Sequence, residues 1–285
     1  MSAPVPHSVG SAAPKIALPP GACDSHIHIY DPRYASGPAV LPNATVADYR
    51  LLQARNGTSR AVIVNPSAHA FDNRATLDAI AQLGIANARG VAVLNQEVTD
   101  AQLRELDERG IRGIRFTLFD PSTAITRFEW VEPLAARVHA LGWHLQLHWR
   151  GDQIVENEAL LMRLPTTLVF DHMARLPRPQ AENHPAFAIV ARLIEAGRAW
   201  VKLSGPYLDD VSPGYASRAG VVRAFGRIAP EHLVWGSDWP HPTEKQSKPD
   251  DAHMLDCFSE WIGDAALRRR IFVDNPARLY GFAPA

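Results

Sequence analysis

What most constrains the fold of this chain is an eightfold alternation of short β-rich runs with longer amphipathic stretches, starting at Gly21. The β-rich runs are Ala22–Tyr30, Arg60–Asn65, Gly90–Leu94, Gly113–Phe119, His144–Trp149, Thr167–His172, Trp200–Ser204 and Leu233–Asp238. Several are near-continuous in Val, Ile, Leu and Phe, as strands buried on both faces require. Between them, Val46–Arg55, Arg74–Leu83, Ala101–Arg109, Trp130–Leu141, Pro185–Ala196 and Gly220–Ile228 carry helical spacing. Thr45 and Thr99 stand as N-caps, and Gly84, Gly110, Gly142 and Gly197 as stops. This order predicts a single-domain α/β protein, a closed (β/α)8 TIM barrel. An open doubly wound sheet usually has fewer strands, and no Gly-rich phosphate loop follows the first one.

A length of 285 residues suits one such barrel, and a hydrophobic share of 46% fills its core. Residues 1–20 read as a Pro/Ala-rich tail without the apolar run of a signal peptide or membrane span, which leaves 21–285 as the barrel. The 29 Lys+Arg nearly balance the 30 Asp+Glu and are dispersed, so neither nucleic acid nor a membrane is an expected partner. Cys23 and Cys257 are too isolated to suggest a disulfide or a thiolate zinc site, and they read as small apolar fillers suited to a reducing cytoplasm. The outer helices of a barrel also suit a homo-oligomer.

Barrel enzymes place their chemistry at the carboxyl ends of the strands, and the polar residues of this chain gather there. His26 and His28, two apart on the first strand, share a face and can hold a metal or a substrate oxygen. The other ends bring Asn65, Ser67, Arg115, His148, Arg150, Asp171, His172, Arg175, Lys202, Ser204, Tyr207, Asp238 and Trp239. Taken singly, most have a plain structural reading: core histidines, an ion-paired arginine, or side chains satisfying loop backbone. Asp171 reads as a cap or an orienting group, Asp24 as an anchor, and Trp239 as pocket wall.

CDSHIHIYDP, VFDHMARLP, VKLSG, VWGSDWPHP and DNPARLYGF, in that order from Gly21 to Phe282, resemble the amidohydrolase-2 branch of the amidohydrolase superfamily. Within it the chain is similar to the lactone-processing group, which includes 2-pyrone-4,6-dicarboxylate lactonase and galactarolactone isomerase. The resemblance implies a reaction centre of His26, His28, His172 and Asp238. Asp238 would act as general base, with the three imidazoles polarising a lactone carbonyl. Preplaced donors contribute roughly 3 kcal/mol each to such a transition state.

No metal is obligatory for that chemistry. If a single Zn2+ or Mn2+ is present, it would take His26, His28, His148 and Asp238. The strand-four lysine that bridges two ions in binuclear relatives has no counterpart in GIRFTLF. Arg115 matches a carboxylate-reading arginine. The substrate-binding set is Arg115, Ser67, Asn65, His148, Arg150, Arg175, Ser204 and Tyr207. Pro206-Tyr207-Leu208-Asp209-Asp210 is acidic, which favours the hydroxyls of a carboxylated sugar-acid lactone such as galactarolactone over a second carboxylate. The alternatives are a 2-pyrone-4,6-dicarboxylate lactonase, a metal-dependent decarboxylase or amidohydrolase of the same superfamily, and a non-catalytic small-molecule-binding barrel.

Overall fold

The computed structural model describes residues 4–34 and 42–285. Eight parallel strands, β1 (Cys23–Ile27), β2 (Arg60–Val64), β3 (Ala88–Ala92), β4 (Ile111–Thr117), β5 (His144–His148), β6 (Leu168–Phe170), β7 (Ala199–Leu203) and β8 (Leu233–Trp235), pair in sequence order. The helices between and after them include α1 (Val46–Asn56), α2 (Arg74–Leu83), α3 (Asp100–Glu108), α4 (Val131–His139), α5 (Gly151–Glu156), α6 (Glu158–Arg163), α7 (Pro185–Glu195), α8 (Ala216–Ile228) and, after β8, α9 (Asp251–Ile262). This is the expected (β/α)8 barrel. Thr45 and Thr99 each form a reciprocal capping box, with Asp48 and Gln102 respectively. Such a cap stabilises a helix by about 1 kcal/mol.

Two hydrophobic layers separate the elements. Alternate strand residues such as Ile63, Ile114, Phe116, Leu145 and Leu147 pack into the outer layer with the helices. Cys23, Val62, Val64, Val91, Val169 and Val234 form the lumen with Tyr280 and Phe282. The C-terminal DNPARLYGF segment therefore plugs the barrel floor. Arg60 donates to the Ala283 carbonyl, and Arg89 to those of Tyr280 and Gly281. The N-terminal tail packs along the barrel: Val5 is buried, Arg55 donates to the Gly10 carbonyl, and Trp239 Nε1 donates to the Pro6 carbonyl at 2.8 Å. Among the described residues, no helix is long and apolar enough to cross a membrane.

β8 and β1 meet through an Ile27–Trp239 bridge, with Asp238 N donating to His26 O and His28 N to Trp239 O, both at 2.8 Å. This seam sets Asp238 beside the two histidines. It depends on Gly236, where an added Cβ would lie 2.5 Å from His26 Cβ and 2.7 Å from His26 N. Backbone on one side and a strand on the other leave no room to yield. Gly236→Ala is expected to cost about 3 kcal/mol, lowering Tm on the order of 10 °C in a thermal melt. A wild-type melt would show that the seam is looser than this packing.

Candidate active site

Each candidate side chain arrives by a different local device. The β1–β2 register slips between Asp24 and Ile27, a bulge that turns the end of β1. His28 then donates from Nδ1 to the Val64 carbonyl at 2.8 Å, because a carbonyl can only accept, and its Nε2 faces Asp238 Oδ1 at 3.4 Å. His26 lies between two carboxylates, with Nδ1 3.4 Å from Asp171 Oδ1 and Nε2 3.5 Å from Asp238 Oδ1. After β6, His172, Met173, Ala174 and Arg175 all have φ between 46° and 59°. One turn of left-handed backbone from non-glycine residues costs roughly 4–8 kcal/mol. Its effect is to aim His172 and Arg175 into the same cavity.

That cavity, about 410 Å³, opens at the carboxyl ends of the strands. Asp238, His28 and His172 line its base, with Arg115, Arg175 and His148 around them. Ser67, Thr117, Thr243 and Glu244 add polar wall, and Tyr30, Phe119 and Leu208 the apolar part. Arg115 Nε donates to Asp171 Oδ2 at 3.0 Å. Arg175 stacks over Phe119, donates to Asp209 at 3.0 Å, and sits 3.3 Å from His148 Nε2.

Other expected ligand contacts lie elsewhere. Asn65 spends its amide on the Ala70 carbonyl and the Thr76 hydroxyl, so it braces the loop rather than lining the cavity. Arg150 turns away to the Phe119 carbonyl. Ser204 sits behind His172, 2.9 Å from its Nδ1, and Tyr207 donates to Asp238 Oδ2 at 2.6 Å. Trp239 is buried against Tyr49 and the tail instead of forming wall. Asp24, read as an anchor of the barrel bottom or of a helix, instead accepts from Ser237 N at 2.8 Å beside the β1–β8 seam.

Burial sets the charge states. It lowers His26 and His148 well below the ordinary imidazole range and takes His172 down to about 4, so all three are neutral at pH 7. Burial also opposes the charge on Asp238, but His172, His28 and His26 outweigh it and hold the carboxyl well below its usual range. Asp171 is likewise held low, with Arg115 and His26 overcoming burial. Lys202, bonded to Ser25 O and Gln146 Oε1 beneath the centre, is lowered to about 8 by burial.

These shifts predict acid sensitivity. His172 at about 4 and His144 at about 3 refuse protons that the unfolded imidazoles accept at the ordinary 6.5. Stability is therefore complete above pH 6.5 and is lost as pH falls toward these values, by about 3 and about 5 kcal/mol. Asp24, raised to about 7 from 3.8 by burial, works the other way and returns about 4 kcal/mol as pH falls across that interval. The balance is a loss. Melting temperature should fall between pH 6.5 and 4 at constant ionic strength, and a flat or rising profile would contradict these assignments.

A metal site is compatible with the donors. Neither ring nitrogen of His26 has a hydrogen bond among the described residues, nor does Asp171 Oδ1. A neutral imidazole has one proton for two carboxylates, so one lone pair faces another until a proton or cation intervenes. Among the described residues, two His/Asp groups could hold an ion: His26, His28 and Asp238, or His26, Asp171 and His172. His148, expected among the ligands, belongs to neither. It ends β5 with its ring on Phe119 and its Nε2 toward Arg175. Asp171, expected only to cap or orient, takes the inner position instead.

A neutral-imidazole and carboxylate cluster at the strand ends of a (β/α)8 barrel defines a candidate hydrolytic centre of the barrel class. The chain belongs to the amidohydrolase family, whose model, described as Amidohydrolase, matches residues 23–282. It is 33% identical to a 4-sulfomuconolactone hydrolase of Rhizobium radiobacter, covering 95% of this chain and 93% of that one. Identity is 32% to a 2-pyrone-4,6-dicarboxylate hydrolase of Comamonas testosteroni (94% and 92%). It is 31% to a D-galactarolactone isomerase of Agrobacterium fabrum (97% and 96%). These relatives are lactone hydrolases and a lactone isomerase.

Proposed function

We propose that the protein attacks the ring ester carbonyl of a carboxylated sugar-acid lactone, galactarolactone or a relative. The observation that carries this reading is Asp238 Oδ1, an anion flanked by His26 and His28 in the wall of the cavity that also holds Arg115. Asp238 takes a proton from water, or from a substrate hydroxyl, as its oxygen bonds to the carbonyl carbon. The displaced π pair becomes an oxyanion facing the imidazoles. In the tautomer in which Ser204 donates to His172 Nδ1, the Nε2 proton of His172 is free to stabilise it. Collapse expels the ring oxygen, which takes the proton from Asp238. Water as nucleophile gives the open hydroxy acid, and a substrate hydroxyl gives an isomeric lactone.

A divalent ion, Zn2+ or Mn2+, fits His26, His28 and Asp238, and would polarise the carbonyl and acidify water. We read it as dispensable because an ester needs less activation than an amide. The dicarboxylate lactonase reading gains support from Arg175, a second guanidinium in the wall. Asp171 and Asp209 already neutralise the two arginines, however, and Glu244 adds negative charge, so one substrate carboxylate is better matched than two. The setting would be cytoplasmic.

The test is a mass and NMR time course with galactarolactone, other aldaric lactones and 2-pyrone-4,6-dicarboxylate, with and without EDTA. A gain of one water identifies a hydrolase, and an unchanged mass with altered ring signals an isomerase. Loss of rate in EDTA, restored by metal, would replace the metal-free route. No turnover of any lactone would sink the substrate class.

A further inference from the structure

We propose that His241 and Asp251, which do not line the cavity, are positioning residues for Asp238 and act on it through Tyr207. The inference rests on Asp238 being the base. Behind the reaction centre, four side chains from three places in the chain form one line. Tyr207, from the loop after β7, donates to Asp238 Oδ2 at 2.6 Å. His241 Nδ1 lies 3.1 Å from the Tyr207 oxygen, and His241 Nε2 lies 3.1 Å from Asp251 Oδ2 at the start of α9. Tyr207, Asp238, His241 and Asp251 are 6%, 4%, 0% and 0% exposed.

The donor order follows from counting protons. A carboxylate only accepts, so the single hydroxyl proton of Tyr207 is committed to Asp238 and the tyrosine oxygen is left to accept from His241 Nδ1; Asp251 also only accepts, so the line is fully bonded when both ring nitrogens of His241 carry a proton. The line distinguishes the two oxygens of Asp238: Oδ2 is held from behind, and Oδ1 is left toward His26, His28 and the cavity. A carboxylate otherwise rotates freely about Cβ–Cγ, exchanging its oxygens. A phenol on a short loop turn is a poor clamp unless its own oxygen is held. His241 holds it, packing edge-on to the ring at 5.2 Å. The His241 loop is fixed in turn by its backbone N donating to Asp238 O at 2.8 Å and by Lys248 donating to the Pro240 and His241 carbonyls. Buried polar groups without a task are normally replaced by apolar packing, whereas preorganising a base rewards fully bonded ones.

Kinetics on galactarolactone and 2-pyrone-4,6-dicarboxylate test this. His241→Phe should lower kcat about 30-fold with KM within threefold. His241→Asn, whose amide nitrogen can stand near the former Nδ1, should stay within about fivefold of wild type. Because His241 acts only through Tyr207, adding His241→Phe to Tyr207→Phe should lower kcat no further. Wild-type kcat in His241→Phe, or losses that multiply in the double variant, would overturn the proposal. Should His241→Phe not fold, Asp251→Asn alone and with Tyr207→Phe decides by the same non-additivity. Asp238→Asn separates the two claims: full activity there removes the reaction-centre reading, while its loss beside a wild-type His241→Phe removes only the positioning line.

Discussion

Asp238→Asn is expected to lower kcat at least 10³-fold while leaving KM within a few-fold and the thermal melt close to wild type. The substitution is isosteric, so Tyr207 can still donate to the amide oxygen and the seam bond from Asp238 N to His26 O is untouched. What disappears is the acceptor, a carboxyl held well below its usual range and therefore ionised at neutral pH. General-base assistance is worth roughly 10²–10⁴-fold, and in the proposed mechanism the same group also returns the proton to the ring oxygen, which places the loss in the upper part of that range. Stability should hold because a buried charge is removed and only its weak contacts at 3.4 and 3.5 Å are lost. Steady-state rates beside a melt check both halves. A rate within tenfold of wild type would mean that another group activates the nucleophile.

Much of the barrel was legible because its signals are local. Strands buried on both faces run in apolar residues, so the Ala-Val-Ile-Val of β2 and the Leu-Val-Phe of β6 announce themselves, and the Thr45 and Thr99 caps sit three residues before their Asp48 and Gln102 partners. The strand ends were less legible. β1, β6 and β8 stop earlier than their apolar runs suggest, because His28, Asp171, His172 and Asp238 leave the ladder to form the site. Strict alternation cannot foresee the bulge after Asp24, nor a left-handed turn built from His172, Met173, Ala174 and Arg175, none of them glycine. That turn is why the inner position falls to Asp171 and His172 while His148 stays at the mouth with Arg175. The tail gave no periodic signal because its attachment runs largely through backbone carbonyls at Pro6 and Gly10, which residue type does not encode.

Arg115 both lines the cavity and bonds the buried Asp171, and two substitutions should separate a binding role from a structural one. Arg115→Met removes the guanidinium from the cavity wall and also leaves Asp171 buried with Gln146 Nε2 at 3.2 Å as its remaining hydrogen-bond donor. Stranding a buried carboxylate costs roughly 3–5 kcal/mol, so Tm should fall on the order of 10 °C. Loss of a carboxylate clamp should raise KM for a carboxylated lactone about 100-fold at the same time. Arg115→Lys keeps a cation beside Asp171 but loses the planar fork, so most of the stability should survive while KM still rises about tenfold. A lactone lacking the carboxylate should show neither KM change, because it never engaged the guanidinium. If Arg115 served Asp171 alone, both variants would bind the carboxylated lactone with wild-type KM and only the methionine variant would melt early. Melts and KM values on the paired substrates therefore assign the residue, since no purely structural role can make the KM penalty depend on the substrate's charge.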